Sequence, residues 1–95
     1  MTRIIAGEKK GHRLRTPAHS ATRPTTDRVR EAAFSLIADW AGTAGEPGAR
    51  MLAGLSFLDL FAGSGAVALE AASRGARPVL AVESDPATAR LARGN

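Results

Sequence analysis

The stretch that decides the fold is Asp59-Leu60-Phe61-Ala62-Gly63-Ser64-Gly65. It overlaps a short, mostly apolar run at residues 55–61, which is typical of a parallel strand buried on both faces. Gly63 and Gly65 allow backbone angles closed to other residues and let a ligand approach the main chain. The alanine-rich residues 66–74 then favour a helix. The pattern therefore predicts a strand, a glycine turn and a helix.

A second strand and helix follow directly. Residues 78–82 are apolar, and Asp85-Pro86 combines a helix cap with a proline at the first helical position. Two parallel strands joined by a helix form a right-handed βαβ crossover. This predicts an α/β, Rossmann-like fold. Two strands cover too little of the helices beside them, so we interpret the chain as the N-terminal part of a larger fold.

The two strand ends indicate a nucleoside ligand. Glu83 lies 20 residues beyond Gly63, at the tip of the second strand, where its carboxylate can accept both ribose hydroxyls. Gly63-x-Gly65-x-x-Ala68 also satisfies the general dinucleotide-binding pattern. Glycine spacing alone therefore leaves S-adenosylmethionine, NAD and FAD as alternatives.

Asp59 favours S-adenosylmethionine among these ligands. A carboxylate at that position opposes a pyrophosphate but suits the cationic methionine end of S-adenosylmethionine. Two alternatives stay open: Asp59 caps the turn through its own backbone, and Phe61 belongs to the core. The predicted cofactor-binding residues are Asp59, Phe61, Ala62, Gly63, Ser64, Gly65 and Glu83.

Positive charge is concentrated at the N-terminus. Residues 1–30 hold eight of the 13 Lys and Arg and carry a net charge of +6, whereas residues 31–95 carry −2. This asymmetry indicates a polyanionic partner. We predict a small β-hairpin over residues 3–16, with Glu8-Lys9-Lys10 in its turn.

Three segments result from these patterns. Residues 1–41 form a basic hairpin and helix, residues 42–54 a glycine-rich loop or linker, and residues 55–95 the first βαβα portion. The helix is predicted to begin near Thr25 or Thr26, with a threonine or Asp27 as its cap, and to run to about Trp40. Its predicted apolar stripe, facing the core, consists of Val29, Ala33, Leu36, Ile37 and Trp40.

Two strings give a resemblance to a known family. Thr22-Arg23-Pro24-Thr25-Thr26-Asp27-Arg28-Val29-Arg30-Glu31, followed by the glycine stretch and residues 69–76, resembles the RsmD family. That resemblance implies a class I S-adenosylmethionine-dependent methyltransferase fold and methylation of the exocyclic N2 of a guanine in 16S ribosomal RNA. It also implies 16S rRNA, or a small-subunit assembly intermediate, as the partner. The RNA-binding residues expected on this basis are Lys9, Lys10, Arg13, Arg15, Arg23, Arg28 and Arg30.

One family motif has no match in residues 1–95. The family carries an Asn/Asp-Pro-Pro-Tyr/Phe tetrapeptide that holds the guanine amino group, whereas the Asp-Pro of this sequence, Asp85-Pro86, begins a helix. We therefore expect no turnover by this stretch alone. The competing functions are a fragment of an NAD- or FAD-binding oxidoreductase and a non-catalytic RNA-binding module.

Composition excludes several other classes. The sequence has no cysteine, so disulfides and thiolate metal sites are impossible. No apolar run approaches the roughly 18 residues that a membrane span needs. We expect a cytoplasmic monomer without a metal.

Overall fold

The glycine-rich stretch joins a parallel strand to a helix, as its pattern predicts. The structure is a computed structural model that describes residues 2–16 and 26–95. Its strands and α-helices are β1 (Thr2–Arg3), β2 (Arg13–Leu14), α1 (Asp27–Ala41), β3 (Phe57–Asp59), α2 (Ala66–Ser73), β4 (Val79–Ala81) and α3 (Pro86–Gly94). β3 and β4 pair in parallel, with Phe57 opposite Val79. The predicted α/β unit is confirmed.

The predicted N-terminal hairpin is also present, with shorter strands. β1 and β2 pair antiparallel, with Thr2 opposite Leu14, and each strand is two residues long. Hydrogen bonds continue beyond the two strands, since the Ile4 N–H donates to the His12 carbonyl at 3.0 Å and the Gly11 N–H donates to the Ile4 carbonyl at 2.8 Å. The backbone N–H groups of Ile5 and Ala6 donate to the two carboxylate oxygens of Glu70 on α2, at 2.8 and 3.0 Å. A lone hairpin is marginal in water, and this one is fastened to a helix instead.

The ends of α1 follow from its local sequence. The Thr26 hydroxyl accepts a hydrogen bond from the Val29 amide at 3.2 Å, which satisfies one of the free donors of the first turn. Gly42, at a φ of 75°, ends the helix in the left-handed conformation. Of the predicted alternatives, the structure has Thr26 as the cap and Asp27 as the first helical residue, and the helix ends one residue beyond Trp40.

The predicted apolar stripe of α1 is wrong except at Ile37, which is partly buried against the main core cluster. Val29, Leu36 and Trp40 are 55%, 70% and 80% exposed, and Trp40 is not part of the core. The buried face consists of Arg30, Phe34 and Ala38. An arginine occupies the inner face because its guanidinium meets the Glu70 carboxylate there, with Nε to Oε1 at 3.3 Å. Hydrophobic periodicity does not detect a buried charge whose partner lies 40 residues away.

Residues 42–54, predicted as a loop or linker, contribute to the core. Leu52 is fully buried and joins Phe34, Ala71 and Ala76 in the main apolar cluster. Its backbone N–H donates to the carbonyl of Arg74 at 2.8 Å. A 3₁₀ turn, Gly48–Arg50, begins the second half of the segment. The segment therefore packs together with the elements on either side of it.

An aromatic contact holds α1 against the sheet, and a cation–π contact joins α1 to the residue that caps α2. The ring of Phe34 stacks on Phe57 with centroids 5.8 Å apart, and the Arg74 guanidinium lies 4.8 Å from the centre of the Phe34 ring. Burying a phenylalanine side chain of this kind contributes roughly 1.5–3 kcal/mol. Beyond this core, the strands and the residues that follow them carry exposed aliphatic side chains, those of Leu58, Leu60, Leu80 and Val82.

Candidate cofactor site and basic hairpin

The glycine loop, residues 59–65, connects β3 to α2. Gly63 and Gly65 adopt positive φ angles of 55° and 88°, and Gly65 is the N-cap of α2. The prediction that both glycines take backbone angles closed to other residues is thus confirmed. A residue with a side chain would be strained at these positions. Residues 62–65 are buried, and Ala92 on α3 lies next to Gly65, where an added Cβ would be 3.5 Å from the Ala92 Cβ.

Glu83 is tied to this loop through both oxygens of its carboxylate. Oε1 accepts from the backbone N–H of Gly63 at 2.8 Å, and Oε2 accepts from the N–H of Asp85 at 2.9 Å. The side chain therefore bridges the glycine turn and the start of α3. Each carboxylate oxygen has a second lone-pair site. The partly exposed Glu83 consequently retains the capacity to accept hydrogen bonds from a ribose.

Asp59 caps its own turn, which was one of the two alternatives considered for this residue. Its Oδ1 accepts from the backbone N–H of Phe61 at 3.1 Å. Asp59 and Glu83 lie at the ends of adjacent parallel strands, so both carboxylates are at the carboxyl edge of the sheet. Ligands of open α/β sheets bind at that edge. The turn contact and a role toward a cationic ligand are compatible, because Asp59 stays partly exposed.

The other predicted cofactor residues divide into two groups. Phe61 is 90% exposed, which rules out the core alternative in this structure and leaves its ring open to a ligand. Ala62 and Ser64 are buried. Ala62 is held by its backbone, since its N–H donates to the carbonyl of Val82 at 2.9 Å. These two residues shape the loop rather than present side chains to a ligand.

A cavity of about 540 Å³ opens between α2, β4 and α3. Ala62, Gly65 and Glu83 border it, but its walls are otherwise mainly aliphatic side chains such as Leu69 and Val79. Recognition of a ribose and an amino acid requires polar groups. We therefore place the candidate site at the strand ends, where the two carboxylates lie, rather than in this aliphatic interior.

Asp85 caps α3 as predicted. Its Oδ2 accepts from the Thr88 hydroxyl at 2.6 Å and from the Thr88 amide at 2.9 Å. These two hydrogen bonds lower the pKa of the Asp85 carboxyl below its ordinary value. Through Glu83, the same helix start is connected to the glycine loop.

The basic hairpin, residues 2–16, lies along α2. The Ser73 hydroxyl donates to the carbonyl of Ala6 at 2.7 Å and accepts from the Lys9 amide at 2.9 Å. Gly7 is seated so closely that an added Cβ would be 2.0 Å from the carbonyl oxygen of Ser73. The turn of the hairpin is therefore fixed to the C-terminal end of the helix, opposite the glycine loop.

The open end of the hairpin lies beside the glycine loop. The Asn95 side-chain amide is bonded to both backbone groups of Arg15, and it also donates to the carbonyl of Ser64 at 2.9 Å. Arg15 is thus held near the loop. Lys9 and Lys10 lie about one α2 length away, roughly 12 Å for eight residues at 1.5 Å each.

Most of the predicted RNA-binding residues that the structure describes are at the surface. Exposed side chains are those of Lys9, Lys10, Arg13, Arg15 and Arg28. Arg23 lies outside the described residues. Arg30 is a correction: it is 1% exposed, and its guanidinium pairs with Glu70 and Asp27 and donates to the carbonyl of Arg3. A group enclosed in this way supports the fold and is not presented to RNA.

Sequence reasoning missed two residues that organise the site. Glu70 is fully buried and receives hydrogen bonds from Arg30, Arg74 and two hairpin amides. The available signal was the i, i+4 spacing of Glu70 on α2 and Arg74, which caps the end of that helix. Asn95 is the second, and its three contacts span the chain without any local pattern. The described residues contain no cluster of ligands for a metal ion and no helix able to cross a membrane.

Comparison with known proteins gives the class. A solved structure from Thermus thermophilus, the hypothetical protein TTHA0928, superposes with a TM-score of 0.77 at 37% identity, covering 100% of this chain and 48% of that chain. A second solved structure, the putative methyltransferase yhhF from Escherichia coli, superposes with a TM-score of 0.72 at 36% identity, covering 98% of this chain and 44% of that chain. The fold is therefore consistent with the N-terminal part of a methyltransferase fold.

The family follows from sequence comparison. A family model described as "Conserved hypothetical protein 95" matches residues 2–95. The chain is 40% identical over 88 residues to ribosomal RNA small subunit methyltransferase D of Escherichia coli K12 and 41% identical over 83 residues to the putative rRNA methyltransferase YlbH of Bacillus subtilis 168. These matches cover 93% and 87% of this chain, and 39% of each relative. The chain belongs to the RsmD family.

Proposed function

We propose that this chain binds S-adenosylmethionine and ribosomal RNA as part of an enzyme that methylates the exocyclic N2 of a guanine in 16S rRNA. The observation that carries the proposal is the joint position of Asp59 and Glu83 beside the glycine loop, in a chain of the RsmD family. The activity belongs to a whole protein, and the chain spans 39% of the length of the curated relatives named above.

The residues fit the cofactor. Glu83 is fixed by two backbone amides and can accept the ribose hydroxyls with its remaining lone pairs. Asp59 offers a carboxylate to the cationic methionine end, and Phe61 offers an exposed ring beside it. When bound, S-adenosylmethionine supplies a methyl group activated by its sulfonium for transfer to the guanine amine. The chain contributes binding and orientation.

The basic hairpin supplies the contacts to RNA phosphates. Lys9, Lys10, Arg13 and Arg15 are exposed on one element that is fastened to α2. Such contacts give affinity and position rather than sequence specificity. The substrate is 16S rRNA or a small-subunit assembly intermediate, which implies a cytoplasmic location. Because residues 1–95 hold no Asn/Asp-Pro-Pro-aromatic sequence, we propose that this stretch alone does not transfer the methyl group.

Calorimetric titration of the chain with S-adenosylhomocysteine and, separately, NAD and FAD tests the cofactor. We expect binding of S-adenosylhomocysteine and at least about tenfold weaker binding of either dinucleotide, equivalent to about 1.4 kcal/mol. Preference for NAD or FAD would favour the oxidoreductase alternative. RNA binding without any of the three ligands would favour a non-catalytic RNA-binding module.

A further inference from the structure

Asn95 connects the two functional elements of this chain. Its Oδ1 accepts from the backbone N–H of Arg15 at 2.8 Å, and its Nδ2 donates to the carbonyls of Arg15 and Ser64, both at 2.9 Å. An asparagine side chain has two donor hydrogens on Nδ2. One is directed at the basic hairpin and the other at the glycine loop.

The contact with Arg15 resembles one rung of a β-ladder. The amide side chain pairs with both the N–H and the carbonyl of one residue, immediately after β2. It therefore fixes the backbone of Arg15 and leaves the charged side chain exposed. The Asn95 backbone is itself anchored, because its N–H donates to the carbonyls of Leu91 and Ala92 at the end of α3.

The contact with Ser64 reaches the centre of the loop. Ser64 lies between Gly63, whose amide is bonded to Glu83, and Gly65, which begins α2. A shift of the Ser64 carbonyl changes the position that Nδ2 can occupy while both bonds are kept. Because the planar amide group moves as a unit, the same shift alters the bonds to Arg15.

We propose that Asn95 couples RNA on the hairpin to cofactor at the glycine loop, so that each ligand strengthens the binding of the other. This inference rests on the proposed function, since it names the hairpin as the RNA site and the loop as the cofactor site. Asn95 is a positioning residue, because the coupling acts through its contacts with the backbones of Arg15 and Ser64. Coupling between two sites is reciprocal, so either ligand can be titrated against the other.

The test is a titration of this chain with S-adenosylhomocysteine in the absence and presence of a saturating guanine-containing single-stranded RNA oligonucleotide. For the unmodified chain we expect RNA to lower the Kd of S-adenosylhomocysteine about fivefold, at the lower end of typical coupling factors. For Asn95→Ala we expect less than about a twofold effect of RNA, although each ligand alone still binds.

Two further variants separate coupling from simple loss of structure. Asn95→Asp is nearly isosteric and keeps the acceptor for the Arg15 amide, but it loses both Nδ2 donors and should also lose the coupling. Ala87→Ser, at an exposed position of α3, is the matched control and should keep the fivefold effect. Exchange of the Arg15 amide hydrogen gives a second readout. S-adenosylhomocysteine should slow this exchange in the unmodified chain and leave it unchanged in Asn95→Ala.

The outcomes distinguish the two proposals. If the unmodified chain binds neither ligand, the proposed function fails, and this inference fails with it. If both ligands bind but RNA leaves the Kd of S-adenosylhomocysteine unchanged, the coupling is refuted while the proposed function stands. If RNA still lowers the Kd of S-adenosylhomocysteine about fivefold in Asn95→Ala and Asn95→Asp, Asn95 does not carry the coupling.

Discussion

The carboxylate of Glu83 accepts a hydrogen bond from the backbone amide of Gly63 at 2.8 Å, across the junction between the two parallel strands. The residue proposed to hold the ribose therefore also shapes the loop that would contact the rest of the cofactor. Substitution of Glu83 consequently removes a ligand contact and a loop contact together.

We expect Glu83→Ala to weaken the binding of S-adenosylhomocysteine by about 1–3 kcal/mol, because a charged acceptor is lost. Glu83→Gln keeps one carbonyl oxygen for the Gly63 amide and should lose less. Calorimetry on both variants measures the difference. Unchanged affinity in Glu83→Ala would exclude Glu83 as the ribose acceptor.

Glu70 should be essential for the fold. Its fully buried carboxylate is bonded to Arg30, Arg74 and the hairpin amides of Ile5 and Ala6. Glu70→Ala leaves two buried guanidinium groups without this partner, and breaking a buried ion pair costs about 3–5 kcal/mol. Urea denaturation followed by circular dichroism measures this loss.

Glu31→Ala is the control for that experiment. Glu31 lies on an exposed position of α1, where substitutions usually change stability by less than about 0.5 kcal/mol. Equal stability losses in the two variants would contradict the role assigned to Glu70.

Gly7 and Gly11 form a matched pair at the two ends of the hairpin turn. Both have positive φ, 92° and 86°, but an added Cβ at Gly7 would collide with the Ser73 carbonyl, whereas none of the described atoms lies within 4 Å of one at Gly11. Gly11→Ala should therefore cost about 1–2 kcal/mol of backbone strain. Gly7→Ala should lower the free energy of unfolding clearly more, because the added Cβ forces the turn away from α2.

Thermal unfolding of the two glycine variants measures the difference directly. RNA affinity should fall in Gly7→Ala and stay near that of the unmodified chain in Gly11→Ala. Similar behaviour of the two variants would show that contact with Ser73 does not hold the hairpin.

Lys9 and Lys10 are exposed in the hairpin turn, far from the glycine loop. Replacing both by alanine should reduce the slope of log affinity for RNA against log salt by about 1.4 for single-stranded RNA, because two phosphate contacts are lost. The binding of S-adenosylhomocysteine should not change. Arg77→Ala, exposed just before β4 and outside the hairpin, is the control and should preserve the slope.

The Asp85 cap makes a pH-dependent contribution to stability. Because hydrogen bonds from Thr88 lower the pKa of Asp85 in the folded state, its stabilisation is present above the unfolded pKa of about 3.9 and is lost as the pH falls through the folded value. The difference in unfolding free energy between the unmodified chain and Asp85→Asn should therefore shrink below about pH 4. A difference that stays constant from about pH 7 to about pH 2 would contradict this linkage.

Local signals accounted for the parts of the fold that the sequence predicted correctly. The glycine turn, the Asp85-Pro86 helix start and the alternation around Leu14 each depend on neighbouring residues, and all three are present in the structure. The family resemblance was also recognisable from sequence, because residues 22–31, the glycine stretch and residues 69–76 are each contiguous segments.

The errors came from contacts between distant residues. The orientation of α1 depends on Arg30 meeting Glu70, and helical periodicity favoured Val29 and Trp40 in its place. Residues 42–54 resemble a linker because glycine and alanine dominate, yet Leu52 anchors the segment in the core. Asn95 acts on partners 80 and 31 residues away, which no local pattern indicates.

The seat of the hairpin has a practical consequence for redesign. Contacts with α2 use the backbone of residues 5–9 and the absence of a side chain at Gly7, whereas the side chains of Lys9 and Lys10 take no part in those bonds and are exposed. The side chains at the tip of the turn can thus be changed without altering the backbone contacts that hold the turn on α2. The exposed residues of the turn could therefore be exchanged to change its charge, while the backbone contact with α2 and the loop at the other end of the helix keep their shape.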